Sequence, residues 1–157
     1  METLAEQKLD VVTSAKMLET FQLNALGPLR VQQAVDKMLA SPGKVCVVST
    51  GMGSIGDNGS GGFYAYRASK AAVNMIAKGL SCDLKGRGIA AVAANPNMVV
   101  TEFGPGSKML KGWGAMSVEL SVKGLITIFD DLTLETTGKF MTVPKDGSPP
   151  CEFPAGW

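Results

Sequence analysis

Lys44-Val45-Cys46-Val47-Val48-Ser49-Thr50, then a glycine-rich loop over residues 51–62, then Tyr66-Arg67-Ala68-Ser69-Lys70, is the stretch that decides the fold. Its first seven residues are a short, largely β-branched run after the turn signal Pro42-Gly43, the pattern of a strand buried on both faces. Residues 64–84 then read as a helix, with Ala65, Ala68, Ala72, Val73, Met75, Ile76 and Leu80 giving a small-residue face and Gly86 and Gly88 stopping it. On that helix Tyr66 and Lys70 lie one turn apart on one face. A phenol ionises near pH 10, and an ammonium ion beside it favours the phenolate, so the pair is a candidate for acid/base chemistry.

Outward from this unit the periodicity continues. Apolar positions from Met17 to Leu39 predict a long helix over residues 14–40, perturbed at Gly27-Pro28. Residues 89–95 read as a second buried strand, 118–132 as a third helix and 138–143 as a third strand. The alternation of helix and strand implies an α/β domain with a parallel sheet of three strands, joined by right-handed crossovers to three main helices. The 157 residues, 45% of them hydrophobic, suffice for one domain over 1–157 with a core of its own.

Composition excludes several functions. The chain has no histidine, so a Ser-His-Asp triad, a Cys-His pair and any histidine-ligated metal site are impossible within it, and no metal site is expected. A net charge of +1 without a basic run argues against nucleic acid as a partner, and no apolar run is long enough to span a bilayer. Cys46, Cys82 and Cys151 are scattered and odd in number, and read as reduced thiols. Residues 1–8 carry acids and no apolar stretch, so no secretory signal is expected, and the cytoplasm is the expected compartment.

In order, several segments resemble the short-chain dehydrogenase/reductase family, in its carbonyl-reductase and C-factor-like branch. Phe21-Gln22-Leu23-Asn24-Ala25-Leu26-Gly27-Pro28 is similar to the helix carrying that family's active-site asparagine, and Val47-Val48-Ser49-Thr50-Gly51-Met52-Gly53-Ser54-Ile55 to the strand ending in its active-site serine. Tyr66 and Lys70 fall on the catalytic tyrosine and lysine. Asn95-Pro96-Asn97-Met98-Val99-Val100-Thr101 resembles the loop that reaches the nicotinamide, and Thr137-Gly138-Lys139-Phe140 the last strand. The resemblance implies a Rossmann-like three-layer fold and NAD(P)-dependent reduction of a carbonyl, or oxidation of a secondary alcohol. Tyr66 would be the acid/base and Lys70 its electrostatic support and a ribose ligand. Thr50 would orient the substrate oxygen, Asn24 would hold a relay water, and Pro96, Asn97, Val99 and Thr101 would face the cofactor, NADP or NAD.

Two positions depart from that pattern. Thr50 stands where serine is usual, and Ser54, twelve residues before Tyr66, competes with it by counting; the register Gly51-Met52-Gly53-Ser54-Ile55 favours Thr50. Asn97 replaces a glycine, and asparagine is among the few residues that accept a left-handed backbone. The family's phosphate-binding turn has no counterpart here: no Gly-x-x-x-Gly-x-Gly opens the chain. In the family order 3-2-1-4-5-6-7 the three strands would be the block 5-6-7, the C-terminal part of a doubly wound sheet, which makes residues 44–50 an edge strand. The chain by itself is therefore expected to bind the dinucleotide poorly and to be inactive. The alternative expectation is a non-catalytic, truncated member that serves as a dimerisation module. Both leave a homo-oligomer formed through the helices of residues 14–40 and 64–84 as the expected assembly.

Overall fold

The structure, a computed structural model, describes residues 8–157. The reading of the N-terminus as free of a secretory signal falls mostly outside the described residues. The chain builds a four-stranded sheet in the order β1-β2-β3-β4, with β1 (Gly43–Val48), β2 (Ile89–Asn95) and β3 (Phe140–Thr142) parallel and β4 (Cys151–Glu152) antiparallel to β3. The three predicted strands are all present. The fourth is an addition that periodicity could not reveal: it is two residues long and follows Pro149-Pro150.

The long helix over residues 14–40 is three segments: α1 (Ser14–Phe21), a π-helical turn (Gln22–Leu26) and α2 (Gly27–Val35), with a 3₁₀ turn at Asp36–Met38 beyond. The perturbation falls one turn before Pro28, and proline geometry explains why. Pro28 has no N–H, and its ring would crowd the carbonyl four residues back. Widening the preceding turn, with Gly27 N–H donating to the Gln22 carbonyl, relieves that crowding and leaves Pro28 in the first turn of α2.

Helix α3 (Tyr64–Asp83) covers one face of the sheet and α5 (Val118–Asp130) the other, which gives the three layers. Alternate residues of β2 serve the two sides: Ala93 joins Val47, Val73, Ala77 and Phe140 under α3, while Ala90, Val92 and Ala94 join Ile128, Leu132 and Val143 under α5. All of β2 is buried. The expectation that the strand of residues 44–50 is buried on both faces is corrected: Val47 is buried, but Val48 is 53% exposed and Lys44 is exposed. Among the described residues β1 pairs with β2 alone, and at the edge of the sheet the layers above and below cover it only in part. Helix α4 (Ser107–Gly112) lies within residues 101–117, which periodicity left as a loop. No helix among the described residues is long and apolar enough to cross a membrane.

Candidate active site

Parallel strands deliver their C-terminal ends to one edge of the sheet, and the loops leaving those ends build the site. After β1 the chain passes through Thr50, whose extended backbone and side chain cap the 3₁₀ turn Gly51–Gly53, with the Met52 N–H donating to Oγ1 at 3.3 Å. This turn lies directly on α3: a Cβ on Gly53 would sit 2.8 Å from the Lys70 carbonyl carbon. Gly51 and Gly56 are equally confined, by the Phe153 ring and the Ala155 carbonyl. These glycines serve close packing rather than a phosphate cradle.

A cleft of about 1020 Å³ opens above the strand ends. Thr50, Tyr66, Lys70, Pro96, Asn97, Val99 and Thr101 all line it, together with Asn95 and an apolar wall that includes Phe103, Leu110, Trp113, Val122 and Phe153. The Thr50 hydroxyl lies near enough to the Tyr66 phenol to lower its pKa. Ser54, the competing residue, is buried elsewhere: its hydroxyl donates to the Gly156 carbonyl at 2.9 Å and accepts from the Asp57 N–H, tying the loop to the C-terminal segment. Asn97 does adopt a left-handed backbone, φ 66°, as asparagine there requires. Its side chain is engaged at both ends, donating to the Val143 carbonyl at 3.0 Å and accepting from the Met98 N–H, so it fastens the loop to the strand ends. The Thr101 hydroxyl accepts from the Phe103 N–H at 3.3 Å.

Asn24 is not part of the cleft wall. Its side chain donates to Ser69 Oγ at 3.0 Å, and Ser69 in turn donates to the Tyr66 carbonyl at 2.8 Å, so its side chain steadies the backbone that carries the phenol. Because the residue four positions on is Pro28, the Asn24 carbonyl also lacks its α-helical donor.

The electrostatics differ from the sequence expectation in one respect. Burial pushes the Tyr66 phenol above its ordinary range, and the nearby Thr50 hydroxyl offsets only part of that rise. Burial acts on Lys70 as well. Its own pKa is lowered by burial, and Nζ donates to the Val48 carbonyl at 3.3 Å. Sequence reasoning also passed over Ser49, Asn74 and Asn95, all buried and hydrogen-bonded beneath the cleft. The available signal was a polar residue inside an apolar pattern: Asn95 ends an alanine-rich strand, and Asn74 falls one turn after Lys70.

Residues 4–108 match the family described as short chain dehydrogenase. The 1-hydroxy-2-glutathionyl-2-methyl-3-butene dehydrogenase of Rhodococcus sp. (strain AD45) is 41% identical over 120 residues, 76% of this chain and 52% of that protein. The C-signal protein of Myxococcus xanthus is 39% identical over 131 residues, 82% of this chain and 75% of that one. The fold superimposes on NADPH-bound carbonyl reductase from chicken fatty liver with a TM-score of 0.73 at 27% identity, covering 88% of this chain and 58% of the other. The chain spans about half the length of the first of these relatives and three quarters of the second. Sequence, fold and the order of the site segments agree, and the chain belongs to the short-chain dehydrogenase family.

Proposed function

We propose that the cleft is the acid/base and nicotinamide end of an oxidoreductase site that reduces an apolar carbonyl compound, or oxidises the corresponding secondary alcohol. The observation that carries this reading is that Thr50 and Tyr66 open onto the same apolar cleft as Lys70 and the loop from Pro96 to Thr101. The residues fit the nicotinamide and ribose end of the cofactor. Lys70 Nζ, half-buried and bonded among the described residues to a carbonyl alone, has donors left for ribose hydroxyls. Thr101 and the Asn97 turn line the same cleft and would face the ring. A nicotinamide bound there supplies or takes up hydride. NADPH is favoured over NADH because the carbonyl reductase that this fold matches holds NADPH.

Tyr66 is the proton donor in reduction. A phenol held above its ordinary pKa by burial is fully protonated at neutral pH, as an acid must be. Thr50, on the same cleft wall, orients the substrate carbonyl toward the phenol and supports charge as it develops. The wall of Phe103, Leu110 and Trp113 favours an apolar substrate. The test is hydride transfer from millimolar reduced nicotinamide mononucleotide to an apolar aldehyde. Tyr66→Phe should slow it by about 10²-fold or more, and an unchanged rate in that variant overturns the catalytic reading.

One observation favours a second reading, a module for self-association. Leu18, Leu23, Val31 and Met75 on α1, the π turn, α2 and α3 are 63–72% exposed, more apolar surface than a solvated helix needs. This is the surface expected to form a homodimer. The two readings are compatible, since Leu18, Leu23, Val31 and Met75 are not among the residues that line the cleft.

A further inference from the structure

We propose that Asn74 is a positioning residue for the acid/base pair: it clamps the chain on both sides of Thr50 and so fixes that hydroxyl against Tyr66. This rests on the reading of Tyr66 and Thr50 given above, but its test does not depend on turnover.

Tyr66, Lys70 and Asn74 are successive residues on one face of α3, each four positions from the last. Asn74 is 3% exposed and spends both ends of its amide on the segment that holds Thr50. Its Oδ1 accepts a short hydrogen bond, 2.5 Å, from the Ser49 hydroxyl. Its Nδ2 donates to the Gly53 carbonyl at 3.3 Å. Ser49 is itself buried, and Gly53 is pressed against the Lys70 backbone with no room for a Cβ. Thr50 lies between these two anchors. The residues flanking it are therefore fixed to the helix that bears the phenol, while Thr50, its hydroxyl accepting from the Met52 N–H, is held on the same cleft wall as Tyr66.

Only an amide supplies this pair of bonds. A carboxylate keeps the acceptor for Ser49 and loses the donor for Gly53; an aliphatic side chain loses both and strands two buried polar groups. The arrangement lets two turns of helix carry the acid, the cation and the means of setting their distance from the strand end.

The test uses the full chain with Tyr64→Phe, which leaves Tyr66 as the only tyrosine, labelled with a fluorinated tyrosine so that ¹⁹F NMR reports its ionisation. Thr50→Val should raise the titration midpoint by about half to one pH unit, the loss of one hydrogen bond to the phenolate. Asn74→Leu should raise it in the same direction, and in the Thr50→Val background should add nothing. Asn74→Asp should give an intermediate rise. Ser54→Ala, which loosens the same loop from outside the clamp, should leave the midpoint unchanged. A folded Asn74→Leu protein with the parent midpoint, or a shift additive with Thr50→Val, overturns the proposal. Where Asn74→Leu does not fold, Ser49→Ala decides: it removes one jaw of the clamp at small cost and must raise the midpoint, and an unmoved midpoint overturns the proposal equally. Absence of nicotinamide binding would bear on the catalytic reading and leave this result standing.

Discussion

Tyr66 and Lys70 are both pushed toward their neutral forms by burial, and this gives the chain a specific alkaline behaviour. The folded phenol titrates above its unfolded value, so its contribution to stability is full below pH 10 and is lost as pH rises past it. Lys70 works in the opposite sense: its folded pKa lies below the unfolded one, so keeping it charged opposes folding at neutral pH and that penalty fades as pH rises. Lys70→Met is accordingly expected to melt at the same temperature as the parent or higher at pH 7, and thermal denaturation followed by circular dichroism measures it. A clear loss of stability would mean that the bond to the Val48 carbonyl outweighs the desolvation. Asn97 makes a second prediction. At φ 66° a β-branched side chain is strained, so Asn97→Val should cost about 1–3 kcal/mol in denaturant unfolding, while Asn97→Gly keeps the backbone and loses only the side-chain bonds. Both residues were legible in sequence, because each is a residue type with a restricted reason to be where it is. The direction of the Tyr66 shift was not, since proximity along a helix predicts a charge effect but says nothing of how deeply the loop buries the phenol.

At the scale of elements, the strands and helices that announce themselves by period were readable: β2 runs over the seven residues expected of it, and α3 and α5 begin where expected. Features set by tertiary contact were not. The π turn before α2 follows from the clash of one proline ring with one carbonyl, and β4 exists only because the C-terminal segment folds back along β3, with the Phe153 N–H donating to the Phe140 carbonyl at 2.7 Å. That segment stacks the Phe153 and Trp157 rings on Phe140 at 4.8 and 5.5 Å, which makes Phe140 the centre of one core. Phe140→Ala should cost about 3–5 kcal/mol in unfolding free energy. Gly53 is the tightest junction between the β1 loop and α3. Gly53→Ala should lower stability by about 1–3 kcal/mol through overpacking against Lys70, and a neutral result would show that the loop moves freely relative to the helix.

The whole molecule has a chemically furnished cleft beside two unsatisfied surfaces, the open edge of β1 and the apolar helices α1, α2 and α3. The helices predict self-association: sedimentation at micromolar concentration should report a dimer, and Val31→Glu with Met75→Glu should convert it to a monomer without unfolding. For the cleft, no glycine-rich strand-to-helix turn of dinucleotide-binding spacing occurs among the described residues, and the proposed ligand is the nicotinamide and ribose end of the cofactor. No saturation is expected when micromolar protein is titrated with micromolar NADPH. The most direct test is saturation-transfer NMR with millimolar reduced nicotinamide mononucleotide, which carries that end and nothing else. Signal transferred to the nicotinamide protons by the parent chain and abolished in Lys70→Ala is the predicted result; equal transfer in both proteins, or none in either, would contradict the assignment of the cleft.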